Sequence, residues 1–338
     1  MNRKMTQSFK QAGFTLLELL VVITLLAVLA TGALVAYEGI GENAQDTAAA
    51  NALNAMESSL RNYRGVENKY PEQYDLLANV DGATTSGAIQ LLADETKKFF
   101  GQWAPTVATA DTSTSVWYAV AQAFNNVGIK QLQAVQSATT WNAGFVPNLA
   151  LNESYPLVSA NPGSELELWN ETSNAIYYDE STMAANGFTN VALSIVPSAY
   201  DNAGTGTACT ADGASISTSF DGSFAPATDF NKRLNLINDA LDSAVCSLVI
   251  AVGIGKDVPG STVGSRVGIS QVATVGTNNV NPNKHYARAI ALFQVATDED
   301  GNGTISAGEV LPKARLIGVV DPEGRIVDQV IAAANAGN

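Results

Sequence analysis

The stretch "DEDGNGTISAGE", residues 298–309, spaces oxygen-bearing side chains two apart, interrupts them with a glycine and ends on an acid. It matches a twelve-residue cation loop at Asp298, Asp300, Asn302, Gly303, Ile305 and Glu309. Calcium is a hard ion that takes roughly six to eight oxygens. Three carboxylates, the Asn302 amide oxygen, the Thr304 carbonyl and a water held by Ser306 would supply them, and Gly303 would permit the sharp turn. The alternative is a polar turn whose acids cluster by chance. Strand-like "RAIALFQVAT" precedes the loop and Pro312 follows closely. The expectation is therefore a static calcium clip that ties a C-terminal loop to a sheet, rather than a helix pair that opens.

A second acid stands out by its surroundings. Residues 14–36, "FTLLELLVVITLLAVLATGALVA", carry no basic residue and one acid, Glu18, while residues 1–13 carry Arg3, Lys4 and Lys10 and no acid. At about 1.5 Å per residue the apolar run spans a bilayer core of about 30 Å. The basic leader would stay cytoplasmic while the rest crosses. An uncompensated acid in a membrane helix costs on the order of 3 kcal/mol, so Glu18 needs a cation or a proton. A plain anchor, or a signal peptide cut near "LAVLATGA", accounts for the length and leaves Glu18 unexplained.

The leader "MNRKMTQSFKQAG", then Phe14, then Glu18 as the fifth residue after the glycine, resembles the precursors of type IV pilins and pseudopilins. The resemblance covers roughly the first fifth of the chain. It implies that a prepilin peptidase cuts after Gly13 and methylates the new N-terminus at Phe14. The freed ammonium would lie one helical turn from Glu18. In a filament, the ammonium of an adjacent subunit would pair with Glu18 and fix the register of one helix on the next, a specificity use of a buried charge. The implied partners are further copies of the chain, the peptidase, the assembly machinery of the inner membrane, and the membrane itself before assembly. The protein would then be a major subunit of an extracellular filament. A type II secretion pseudopilin, a minor tip pilin, or an anchored calcium-binding surface protein that never polymerises are the alternatives.

The elements that must position these residues can be read coarsely. Ala49, Leu53, Met56, Leu60 and Tyr63 recur at spacings of four, three, four and three, one stripe on a helix. A helix is thus expected over 14–66, with 14–36 in the membrane or filament core and local unwinding or bending between Gly32 and Gly41. Many type IV pilins have a proline there, where this chain has Val35. "NKYPEQYDLL" resembles the loop that follows this helix in the family.

Residues 67–338 form the expected head, α+β with an antiparallel sheet. "GAIQLLADETKKFF" and "DFNKRLNLINDALDSAVCSL" read as helices. "SNAIYY", "NVALSIV", "RAIALFQVAT" and "ARLIGVV" read as strands, and "VVDPEGRIV" as a hairpin. Residues 104–115 and 198–228 read as surface loops.

Composition narrows the function classes. Of 338 residues 46% are hydrophobic and the net charge is −14, which suits a packed acidic head and argues against nucleic-acid binding. Cys209 and Cys246 fall in the part expected outside the cytoplasm and should pair, the alternative being two separate buried thiols. His285 is the single histidine, and neither a nucleophile elbow, a Walker lysine nor a zinc cluster is present, so no enzyme is expected.

Overall fold

The stripe Ala49, Leu53, Met56, Leu60 and Tyr63 is buried along its whole length, on one face of a single helix, α1, Leu16–Glu67. The computed structural model describes residues 15–72, 74–79, 87–105, 115–135, 167–168, 176–177, 192–229, 233–239, 241, 244–254, 280 and 285–336. Thr15 caps α1 at its start, and Asn68, at φ 57°, ends it by donating its N–H to the Arg64 carbonyl. The 52 residues are helical without a break, including Gly32, Gly39 and Gly41, so the expected unwinding is absent. Each glycine costs only about 1 kcal/mol relative to alanine. No proline removes a donor from the segment.

The stripe packs on a mostly antiparallel nine-stranded sheet, which gives the head its α+β class. At its centre runs Ser247–Gly253, buried at every position, as a continuous apolar strand must be when both faces are covered. Ile290–Thr297 pairs with it on one side and is itself flanked by Val310–Val320. On the other side two strands share its edge: Leu193–Val196 lies opposite Val249 and Ile250, and Tyr74–Leu76 opposite Val252 and Gly253. Tyr74–Leu76 then pairs in parallel with Gln131–Val135. Pro312 falls where the register between Ile290–Thr297 and Val310–Val320 slips, a place that can spare a ladder donor. Phe293 makes edge-on contacts with Tyr70, just past the end of α1, with Tyr74 and with Phe124 on the helix Val116–Asn125, at centroid distances of 5.1, 5.9 and 5.7 Å.

An ion pair lies inside the sheet. Asp75 Oδ2 accepts from the Tyr286 hydroxyl at 2.6 Å and from Arg288 Nη1 at 2.8 Å, and all three residues are at most 1% exposed. Gly253 is the cross-strand partner of Asp75. A Cβ there would lie 1.7 Å from the Tyr286 hydroxyl oxygen, so only glycine lets that hydroxyl reach the carboxylate.

Several sequence expectations are corrected. "DFNKRLNLINDALDSAVCSL" is not one helix: short helices cover Pro226–Asp229 and Arg233–Ile237, and Ser247 already begins the central strand. Val245 and Leu248 fit a helical spacing, but sheet pairing and the cross-link at Cys246 claim them first. "VVDPEGRIV" is not a hairpin. The Asp321 carboxylate accepts the N–H groups of Glu323 and Arg325 at 2.9 and 2.8 Å, closing a turn that opens into the helix Val327–Ala336. This C-terminal helix lies along α1, where the alanine-rich "VIAAANA" favours helix over strand.

"GAIQLLADETKKFF" divides into a 3₁₀ turn, Gly87–Leu91, and the helix Asp94–Phe99. Residues 198–228 are not merely a surface loop, because they carry the strands Ala199–Asn202, Thr205–Ala208, Thr210–Ala211 and Ala214–Ser215 and bury Cys209, Ala211 and Ile216. Within 104–115, positions 106–114 lie outside the described residues.

Removing one member of a buried pair leaves an uncompensated charge. Asp75→Ala is expected to cost about 3–5 kcal/mol in urea denaturation of the detergent-solubilised chain. Glu57→Ala, which removes a solvent-exposed pair with Arg61 on α1, should cost less than about 1 kcal/mol in the same assay. Equal losses would contradict this assignment of the core.

Candidate functional site

The N-terminus of α1 is built by two residues. Thr15 Oγ1 accepts the Glu18 N–H at 3.2 Å, and Glu18 Oε2 accepts from both the Thr15 N–H and its hydroxyl, each at 3.2 Å. This reciprocal capping box satisfies donors that the first helical turn cannot pair internally. The sequence signal was Thr-Leu-Leu-Glu at 15–18, a pattern that the membrane reading of Glu18 passed over. Gly13 and Phe14, the expected cleavage and methylation positions, lie outside the described residues.

From Leu16 to Leu34 the helix is apolar, long enough to cross a membrane, and touched by no other part of the described head. Its 19 residues rise about 28 Å, close to the thickness of a bilayer core. The two threonines in its interior, Thr24 and Thr31, donate their hydroxyls to the carbonyls of Val21 and Ala27. The segment therefore presents almost no unpaired polar group to an apolar medium.

The acidic loop belongs to the head. It joins two neighbouring strands of the main sheet, Ile290–Thr297 and Val310–Val320. Asp298, buried, accepts the N–H groups of Asn302 and Gly303 at 3.2 and 2.8 Å. The Asn302 amide oxygen accepts the Thr304 N–H at 2.7 Å. Glu309 accepts from the Ser306 N–H and hydroxyl on one oxygen, and from the Glu299 N–H on the other. Gly303, at φ 85°, lies under the Tyr200 ring, and a Cβ would come within 2.6 Å of it. Burial raises the Asp298 carboxyl above the usual range, more than the Gly303 and Asn302 N–H groups lower it. Burial also pushes Glu309 upward, but the bonds from Ser306, Asp300 and Glu299 outweigh it and hold this carboxyl low.

One oxygen from each of Asp298, Asp300 and Glu309 lies within 4.8 Å of the others. Two oxygens on one calcium ion, at about 2.4 Å each, can be at most about 4.8 Å apart, so the three carboxylates are close enough to share an ion. Thr304 and Ile305 form a short strand paired in parallel with Thr210 and Ala211. The loop is thus flanked by strands and carries a single 3₁₀ turn, Ala307–Glu309, capped by Ser306.

Cys209 and Cys246 are joined in a disulfide with Cα atoms 5.8 Å apart, and both are buried. It closes a loop of 37 residues, worth roughly 4 kcal/mol in the chain-entropy account.

Compared with known families, residues 8–34 match the prokaryotic N-terminal methylation motif. No curated protein and no solved structure matches the chain. The motif spans Gly13, where cleavage is expected, Phe14, Glu18 and the uncovered apolar helix, and it ends where that helix passes Leu34. These residues therefore give the chain a type IV pilin-like class III leader, and with it the N-terminus of a membrane-anchored precursor.

Proposed function

We propose that the mature chain is the major repeating subunit of an extracellular type IV pilus-like filament. The leader and helix mark a precursor handled by a prepilin peptidase and delivered to a pilus-type assembly. The observation that carries the finer reading is the uncovered segment Leu16–Leu34, in which twelve large apolar side chains are exposed. Each contributes about 1.5–3 kcal/mol when fully buried. A membrane can cover them before assembly, and the same segments of neighbouring copies can cover them afterwards.

The role of Glu18 follows from that transfer. Within one chain its carboxylate is occupied by the cap at Thr15, which satisfies hydrogen bonds and leaves the charge unneutralised. An N-terminal ammonium on Phe14 of an adjacent subunit supplies the missing cation. Because an apolar surface is indifferent to sliding, this pair fixes the axial register between helices. The large head then coats the fibre as a structural, non-enzymatic surface.

In the same reading the 298–309 loop holds calcium. Asp298, Asp300, Asn302, Thr304 and Glu309 supply oxygens directly, and Ser306 does so through water. The ion would neutralise carboxylates gathered at the end of a strand pair, which suits a fixed clip and gives no lever for opening.

Three outcomes are expected. The filament-borne protein should begin at N-methylated Phe14 by intact mass and N-terminal peptide analysis. A product still carrying residues 1–13 would defeat the proposal. Glu18→Ala should insert in the membrane at wild-type levels yet give sheared fibre yields reduced by at least about tenfold; undiminished fibres would refute its register role. Calcium at a hundredfold over its Kd should stabilise the head by about 2.7 kcal/mol in thermal unfolding relative to a chelator. Glu309→Gln should abolish that calcium-dependent rise.

A further inference from the structure

The disulfide and the acidic loop are not separate features. Asp298, the first residue of the loop, donates its N–H to the carbonyl of Cys246 at 2.9 Å. On the other side of the bridge, Thr210, next after Cys209, donates its N–H to the Gly303 carbonyl at 3.0 Å. Thr304 and Ile305 continue that contact as a strand on Thr210 and Ala211, and the Thr210 and Thr304 hydroxyls meet at 3.1 Å. The loop is therefore held at its first ligand by one cysteine residue and at its middle by the neighbour of the other. Ser198 ties the arrangement from behind: its hydroxyl accepts the Ser247 N–H at 3.0 Å, and its carbonyl accepts from Ser217, whose hydroxyl in turn accepts the Cys209 N–H.

We propose that the Cys209–Cys246 disulfide and the 298–309 loop form one linked clamp. A cation in the loop protects the bridge from reduction, and the intact bridge raises the loop's affinity for the cation. This rests on the calcium reading of the loop. Both sulfur-bearing residues are fully buried, so an attacking thiolate reaches them only when the surrounding small sheet opens. The strand Thr304–Ile305 forms one edge of that sheet, beside the middle strand Thr210–Ala211. A cation that joins Asp298 to Glu309 holds this edge in place. Breaking the bridge, conversely, lets Cys246 and Cys209 separate, and with them the two anchors of the loop.

The redox step is thiol–disulfide exchange with an external dithiol. Its thiolate attacks one sulfur to give a mixed disulfide and expels the other cysteine as a thiolate. The dithiol's second thiolate then closes onto its own sulfur and releases the second cysteine. Two electrons and two protons pass to the cysteines, and the dithiol becomes a cyclic disulfide. Linkage requires the two effects to be equal: the factor by which calcium shifts the reduction equilibrium is the factor by which oxidation tightens calcium.

The test equilibrates the full chain, in detergent, against mixtures of reduced and oxidised dithiothreitol, with calcium chloride or with a chelator. Oxidised fraction is read by thiol alkylation and intact mass. Calcium should move the midpoint about tenfold toward more reducing mixtures, with no shift in Glu309→Gln. Calorimetry should find calcium bound about tenfold more weakly by Cys209→Ser/Cys246→Ser than by the oxidised chain. If calcium binds the oxidised chain but the midpoint stays fixed, or the shift persists in Glu309→Gln, the linkage is overturned and the calcium reading stands. If the oxidised chain binds no calcium, both fall.

Discussion

The long helix has to satisfy two surroundings along one axis, and the rest of the molecule is arranged around that division. Below Asp46 its buried apolar residues sit in a single stripe, and the head covers them, with the C-terminal helix and the strand Val310–Val320 lying against α1. Above Leu34 the apolar residues go all the way round, and no described part of the head reaches them. A helix with one greasy stripe finds its cover in its own chain, whereas one that is greasy on every side must find it elsewhere. The same backbone is thus a core element at one end and an uncovered helix of membrane-spanning length at the other.

Each end has its own polar exception, and the two are handled differently. Asp75 is buried in the sheet with a full cationic partner, Arg288, and a hydroxyl from Tyr286. Glu18 has hydrogen bonds from Thr15 and no cation within the chain's described residues. In a low-dielectric setting hydrogen bonds satisfy lone pairs but leave net charge costly. The pair at Asp75 is complete, while Glu18 has the hydrogen bonds of its cap alone among the described residues.

Elsewhere in the head, a covalent bridge and a group of carboxylates converge on the same few residues. The Cys246 carbonyl and Thr210 hold the loop that Asp298 opens and Glu309 closes. Gathering carboxylates at the tip of a strand pair is unfavourable without compensation. Backbone N–H groups supply part of it, and a divalent cation would supply the rest.

The sequence by itself determined the features that are local or periodic. The leader and the apolar helix after it were legible through their resemblance to a known precursor pattern, the stripe from Ala49 to Tyr63 by helical period, and the grouping of Asp298, Asp300 and Glu309 by their spacing around Gly303. Each pattern lies within a short run of consecutive residues, so it can be recognised without a distant partner. The cap at Thr15 is equally local, since Thr-Leu-Leu-Glu at 15–18 holds both of its partners within four residues.

The tertiary structure alone decided which continuations won. Val245 and Leu248 carry a helical period, but a strand begins at Ser247 because Val249 and Ile250 pair with Val196 and Ile195. Gly253 reads as an unremarkable strand end until Tyr286 and Asp75 meet across it, 33 and 178 positions away in the chain respectively. The bond from Asp298 to the Cys246 carbonyl belongs to the same class. Contacts between residues so far apart are set by the packing of the whole sheet, and no window of sequence contains both partners.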